Sequence, residues 1–72
     1  MKRTDIEVGF KIRALRQSAG LTQAKLAEKS GVSTSEIQKL ETGKAKFGRV
    51  SIDKGMKIAE NLGVDISDII GY

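Results

Sequence analysis

The 72-residue chain contains no histidine, no cysteine, no proline and no tryptophan. Without imidazole or thiolate it can build no zinc centre, no cysteine nucleophile, no Ser-His-Asp relay and no disulfide framework. Catalysis would rest on carboxylates, lysine or tyrosine alone, and no such constellation stands out, so an enzyme is not expected. A chain this short makes one domain, residues 1–72, and buries only ~60–65% of its extended surface, which leaves little core to spare for a substrate cleft. No metal, cofactor or small-molecule ligand is therefore expected, and with no room for a separate ligand domain a signal is expected to act by proteolysis, a partner or concentration. Long apolar runs are missing as well. Met1-Lys2-Arg3-Thr4-Asp5 leads into Ile6-Glu7-Val8-Gly9-Phe10-Lys11 without a signal-peptide core, and nothing approaches the ~20 residues of a membrane helix. The reading is a soluble, cytoplasmic protein with no membrane partner. Aromatics are scarce, two Phe and one Tyr. Phe10, Phe47 and Tyr72 are too scattered for the stacking platforms that single-stranded nucleic acid readers use.

What is present is charge, unevenly placed. Lys and Arg number 13 against 9 Asp and Glu, a formal net charge of +4. Residues 58–72 carry Glu60, Asp65 and Asp68 and no base, so a basic body precedes an acidic end. A basic body suits a polyanion, and with so few aromatics a nucleic acid partner is expected to be a duplex.

Apolar residues recur at helical spacing, punctuated by glycine. Val8, Ile12, Leu15 and Ala19 form one stripe of a first helix, about 5–19, opened by the capping box Thr4-Asp5-Ile6-Glu7 and closed at Gly20. Thr22 caps a second helix, 23–30, with Ala24, Leu26 and Ala27 inward. Ser33-Thr34-Ser35-Glu36 is another capping box, with Val32 and Ile37 placed for a hydrophobic staple, and it opens a third helix, 34–42, whose Ile37 and Leu40 face the core. A basic connection, residues 44–50, leads to a fourth helix, 52–62, capped by Ser51 and read with Ile52, Met56, Ala59 and Leu62 inward. Asp65 caps a short fifth helix, 66–70. No strand pattern, repeat or linker appears. The expected fold is all-α, a compact bundle of five short helices.

The informative unit surrounds Gly31. Only about three residues join helices two and three, which suits a sharp crossing turn. Ala27, four residues earlier, lets the helices approach, and glycine accepts the left-handed backbone that a side chain would penalise. On helix three Ile37, Leu40 and Glu41 share one arc, so Thr34, Ser35, Gln38, Lys39 and Thr42 project on the other. Gln38 carries the donor and acceptor pair that matches adenine, Lys39 can donate to guanine, and the hydroxyls of Thr34 and Ser35 suit a base or a phosphate. Glu36 reads either as a cap or as an acceptor for cytosine.

At these offsets the chain resembles the phage repressor and Cro type of helix-turn-helix, the Xre family. The match runs through Gly9-Phe10-Lys11-Ile12-Arg13-Ala14-Leu15-Arg16, Gly20-Leu21-Thr22-Gln23, Leu26-Ala27-Glu28-Lys29-Ser30-Gly31-Val32-Ser33, Ile37-Gln38-Lys39-Leu40-Glu41-Thr42-Gly43-Lys44 and Ile58-Ala59-Glu60-Asn61-Leu62-Gly63-Val64. The resemblance implies a lambda-repressor-like domain that binds duplex DNA, commonly as a dimer on a pseudo-palindromic operator, with helix three as reader. It makes Thr34, Ser35, Gln38 and Lys39 the base readers and pairs Arg16 with Glu41 as a structural ion pair. The sequence departs from the pattern in its long connection after Gly43, which lacks the usual proline, in Gly55, where a large aliphatic is usual, and in Lys25, where an acid often completes a box with Thr22. Phe47 from the connection is a candidate to fill the volume at Gly55.

Phosphate contacts are expected from Thr22 and Gln23 at the start of helix two, where amides and the dipole favour an anion, and from Thr42, Lys44, Lys46 and Arg49 after the reading helix. The apolar end has two readings. Either it closes the monomer core, or Ile66, Ile69, Ile70 and Tyr72 form a two-fold interface that sets two reading helices ~34 Å apart. The function expected is a sequence-specific, dimeric transcriptional regulator, a repressor by preference. The alternative is an antitoxin or adaptor that uses the same fold against a protein partner such as a toxin or anti-repressor.

Overall fold

In the computed structural model, which describes residues 2–71, five α-helices and one 3-10 turn follow in the order α1 (Asp5–Ser18), α2 (Gln23–Ser30), α3 (Thr34–Glu41), the turn Phe47–Arg49, α4 (Ile52–Leu62) and α5 (Ile66–Ile70). Local chemistry sets the starts. The Thr4 hydroxyl accepts from the Glu7 amide while the Glu7 carboxylate accepts from the Thr4 amide, and Ser33 and Glu36 repeat the exchange at α3. Glu36 thus acts as a cap. At α2 Thr22 accepts from the Lys25 amide with no reciprocal acid, and the Lys25 ammonium lies 3.4 Å from Glu28 instead. Ends differ from expectation by one residue: Ala19 and Thr42 are caps rather than last helical residues.

The α2–α3 turn is made by Gly31 at φ 72°, a left-handed backbone, and the Val32 amide returns to the Ala27 carbonyl at 3.1 Å. Val32 and Ile37 are buried on either side of the Ser33 cap, and with Leu26, Ala27 and Leu40 they fill the wedge between the two helices. α1 lies across α3 at Gly9. A Cβ on Gly9 would sit 2.5 Å from the Leu40 carbonyl oxygen and 2.6 Å from that of Glu41, so only glycine permits this approach.

The core is closed by Val8, Ile12, Phe47, Ile58, Ala59, Leu62 and Ile69. On α4 the buried positions are Gly55, Ile58, Ala59 and Leu62; Ala59 and Leu62 face inward as expected, but Ile52 is 72% and Met56 56% exposed. Both sets have helical period, and the glycine hid the true one, because Phe47 supplies the volume that position 55 lacks. The Phe47 ring lies 3.5 Å from where a Cβ on Gly55 would be. Ala24 and Ala19 are likewise exposed, small residues that the surrounding pattern did not fix. Ile69 is fully buried, so it closes the monomer core and has no surface to offer a second chain. Tyr72 lies outside the described residues.

The two ends of the chain meet. The Arg3 amide donates to the Ile70 carbonyl at 2.8 Å, and its guanidinium donates to the carbonyls of Asp68 and Ile69, a cation at the negative end of α5. Among the described residues no helix is long and apolar enough to cross a membrane.

Candidate nucleic-acid interface

α3 is half buried by design of its sequence. Ile37 and Leu40 anchor it inward, and Thr34, Ser35, Gln38 and Lys39 all stand exposed on the opposite side. Four side chains with hydrogen-bonding heads thus share one face of a single short helix. That helix is fixed from behind by a polar knot. Arg16 on α1 approaches Glu41 with two nitrogens, Nε to Oε2 at 2.6 Å and Nη2 to Oε1 at 3.1 Å. Its remaining nitrogen, Nη1, donates to the Leu21 carbonyl at 2.8 Å, and the side chains are only 11% and 3% exposed. This fork geometry is the strong form of an Arg–carboxylate pair.

Gln23 joins the knot. Its amide nitrogen donates to Glu41 Oε1 at 3.0 Å, which ties the start of α2 to the end of α3. One of its two amide protons is therefore committed to Glu41, so the half-buried side chain is not the wholly free phosphate donor expected, while the α2 N-terminus itself remains at the surface beside exposed Thr22. Thr42 is a second correction. Its hydroxyl donates to the Gln38 carbonyl at 2.9 Å, so in this arrangement it has no proton for a phosphate oxygen. Backbone return bonds of this kind are common for threonine at a helix end.

Lys44, Lys46 and Arg49 are exposed on the connection after α3. The connection has its own order. Ala45 donates to the Lys39 carbonyl at 3.0 Å, and buried Phe47 pins the 3-10 turn that carries Lys46 and Arg49 on either side. Three cations are thus displayed on a braced segment directly beyond the exposed face of α3. Three structural residues were not singled out by sequence pattern: Gly9, whose role needs the α1–α3 approach; the Leu21 carbonyl, which only a three-dimensional fold brings to Arg16; and Gln23 as a partner of Glu41.

Two short helices crossing at a left-handed glycine, the second with a locked back and a polar front, form a helix-turn-helix. The Helix-turn-helix family HTH_3 matches residues 12–69. The chain belongs to that family. A relative in Sinorhizobium medicae, named as an uncharacterized HTH-type transcriptional regulator, is 38% identical over 63 residues, which cover 88% of this chain and 43% of that protein. The chain spans less than half the length of that curated relative. Among solved structures, the restriction-modification controller protein C.AhdI from Aeromonas hydrophila superposes with a TM-score of 0.79 at 29% identity, over 92% of this chain and 96% of its own. The clp gene regulator ClgR from Corynebacterium glutamicum gives 0.77 at 29% identity, over 90% of this chain and 66% of its own. The chain thus has the helix-turn-helix fold of that family, and the relative and solved structures it resembles are named as regulators and a controller protein.

Proposed function

We propose that the chain binds a specific duplex DNA sequence by laying the exposed face of α3 in the major groove, and that it does so as a two-fold dimer that represses transcription. The observation that carries this reading is the pairing of Thr34, Ser35, Gln38 and Lys39 on the front of α3 with the Arg16–Glu41–Gln23 knot behind it. A polar face alone would be ordinary solvated surface; a polar face on a helix anchored to two others at fixed orientation is what base readout requires. Gln38 pairs with adenine and Lys39 with guanine, while Lys44, Lys46, Arg49, Thr22 and the α2 amides hold the phosphates. The expected order is that phosphate contacts place the domain and base contacts choose the sequence.

Repression follows from size. A domain about 30 Å long that occupies a promoter excludes other proteins from it, with no further machinery. Two-fold pairing would set equivalent α3 helices ~34 Å apart, one turn of the duplex, and makes the operator palindromic. A protein partner is a second reading, supported by Ile6 and Phe10, which are 61% and 65% exposed on the outside of α1 and serve neither core nor reading face.

Selection from a random duplex pool followed by sequencing tests the proposal. The expected product is a pair of inverted half-sites with centres about ten base pairs apart. Recovery of no enriched motif would refute sequence-specific binding, and an enriched single half-site would refute the dimer.

A further inference from the structure

Chain length gives no expectation of a ligand cleft, yet the fold leaves one. The start of α1, the Phe47–Arg49 turn, α4 and α5 surround a surface groove of about 780 Å³. Its apolar walls include Phe47, Val50, Ile52, Ile66 and Ile70, and its charged residues are Lys2, Arg3 and Lys46 against one acid, Asp5. Size and lining are those of small-molecule sites, which run to roughly 300–1,000 Å³ with apolar walls and a few placed polar groups. A second groove on α4, about 470 Å³, has only Glu60 and Asp65 as its charges. The basic rim is therefore particular to the first groove.

Two of the cations are set for an anion. Arg3 Nη1 donates to the carbonyls of Asp68 and Ile69, which anchors the guanidinium. The edge formed by Nε and Nη2, the same edge with which Arg16 grips Glu41, is left for a carboxylate. Lys46 is exposed and makes no ion pair among the described residues. Below these heads the floor is deep, because it contains Gly55. That residue sits inside α4 and is not among the glycines of positive φ. An added Cβ would lie 3.5 Å from the Phe47 ring and 4.0 Å from Ile66 Cδ1, normal contact distances. Neither conformation nor crowding demands glycine, yet glycine inside a helix weakens it relative to alanine. What the bare position adds is room for an apolar tail.

The geometry points to a binding site for a small organic acid with an apolar tail, its carboxylate on Arg3 and Lys46 and its tail against Phe47, Gly55 and Ile66. The site stands on the groove alone, whereas its consequence rests on the DNA reading proposed above. In that reading Lys46 serves a phosphate, and a bound carboxylate competes for the same ammonium. Phe47, which walls the groove, is also the buried anchor of the turn that carries Lys46 and Arg49. The acid therefore weakens the grip on DNA and acts as an inducer, and the duplex weakens the acid by the same factor.

Isothermal titration calorimetry of the full chain with octanoate, octanol and octylammonium below their micelle concentrations tests the site. Octanoate should bind once per chain, with octanol and octylammonium at least about tenfold weaker. Affinity should rise roughly two- to fourfold for each methylene from hexanoate to octanoate. Arg3→Lys, which keeps the charge and removes the fork, and Lys46→Gln should each weaken octanoate by about three- to tenfold. Gly55→Ala should flatten the gain with tail length while melting roughly 3–6 °C above wild type, so that lost binding is not lost fold. Saturating octanoate, with equal acetate as the ionic control, should weaken duplex binding about two- to fivefold in wild type and not in Lys46→Gln. Octanol binding as tightly as octanoate, or wild-type octanoate affinity in both Arg3→Lys and Lys46→Gln, would overturn the site. Loss of octanoate binding at protein concentrations where the chain dimerises would give the groove to a second copy and overturn it as well. Duplex affinity indifferent to octanoate would overturn the coupling. A chain that binds octanoate and no duplex would uphold the site and refute the DNA reading.

Discussion

Replacing Arg16 by alanine should destabilise the domain strongly. Glu41, whose side chain is 97% buried in the intact pair, would keep only the Gln23 amide at 3.0 Å and lose the two guanidinium bonds at 2.6 and 3.1 Å. The Leu21 carbonyl would lose its donor too. Breaking one partner of a buried pair costs about 3–5 kcal/mol, because a charge is left behind without its counter-ion. A 72-residue domain has a total stability of roughly 4–11 kcal/mol, so the loss is about a quarter of it at least and all of it at worst. The melting temperature should fall by more than 12 °C, at about 4–8 °C for each kcal/mol. Urea denaturation followed by helical circular dichroism gives the free energies, and a cycle through Arg16→Met, Glu41→Leu and the two together separates the pair from its parts. The double apolar variant should recover most of the loss, since exchanging both partners of a buried pair is often near neutral. Arg16→Ala within 1 kcal/mol of wild type would refute the reasoning, as it would make the pair equivalent to an exposed one.

Other substitutions probe other parts of the account. Gly9→Ala should abolish folding or cost more than about 3 kcal/mol by thermal melting, because its Cβ would meet two backbone oxygens that cannot turn aside. Ser30→Ala should raise stability by about 1 kcal/mol in the same assay, since the Ser30 hydroxyl is fully buried and has no hydrogen-bond partner among the described residues. Glu7 should show its cap in acid titration. Its bonds to the Thr4 backbone and hydroxyl hold its carboxyl below the usual glutamate range, so the contribution is present above the unfolded glutamate pKa and fades as pH falls through the lower folded value. Glu7→Gln should flatten that part of the stability profile measured by thermal melts between neutral and acid pH.

Much of the fold was legible because its signals are local. The Thr4–Glu7 and Ser33–Glu36 boxes need only four residues each, and the Gly31 turn needs only the spacing of Ala27, Gly31 and Val32. The outward set Thr34, Ser35, Gln38 and Lys39 follows from the period of a helix whose inward residues are plain. The α4 face was only half legible: Ala59 and Leu62 belong to either stripe, but in the first half of the helix two stripes of equal period compete and a distant residue, Phe47, decides between them. The placing of Ile69 in an interface failed for a related reason: four apolar residues near an end, Ile66, Ile69, Ile70 and Tyr72, do not say which of them the core will claim. Gln23 and Thr42 show the limit for polar groups. Their residue types suit phosphate, but whether a donor is free depends on Glu41 in one case and the Gln38 carbonyl in the other, and sequence spacing alone does not rank those competitors.

The central claim is that the front of α3 reads bases while the connection beyond it holds phosphates. It is tested most directly by measuring Gln38→Ala and Lys44→Gln against every single-base-pair variant of the selected operator at several salt concentrations. Gln38→Ala should lose about 1–3 kcal/mol of discrimination at one position in each half-site and keep the wild-type salt slope. Lys44→Gln should weaken all sequences alike and make the slope shallower by about one for each subunit. Uniform weakening by Gln38→Ala, or a position-specific loss from Lys44→Gln with the slope unchanged, would contradict the account.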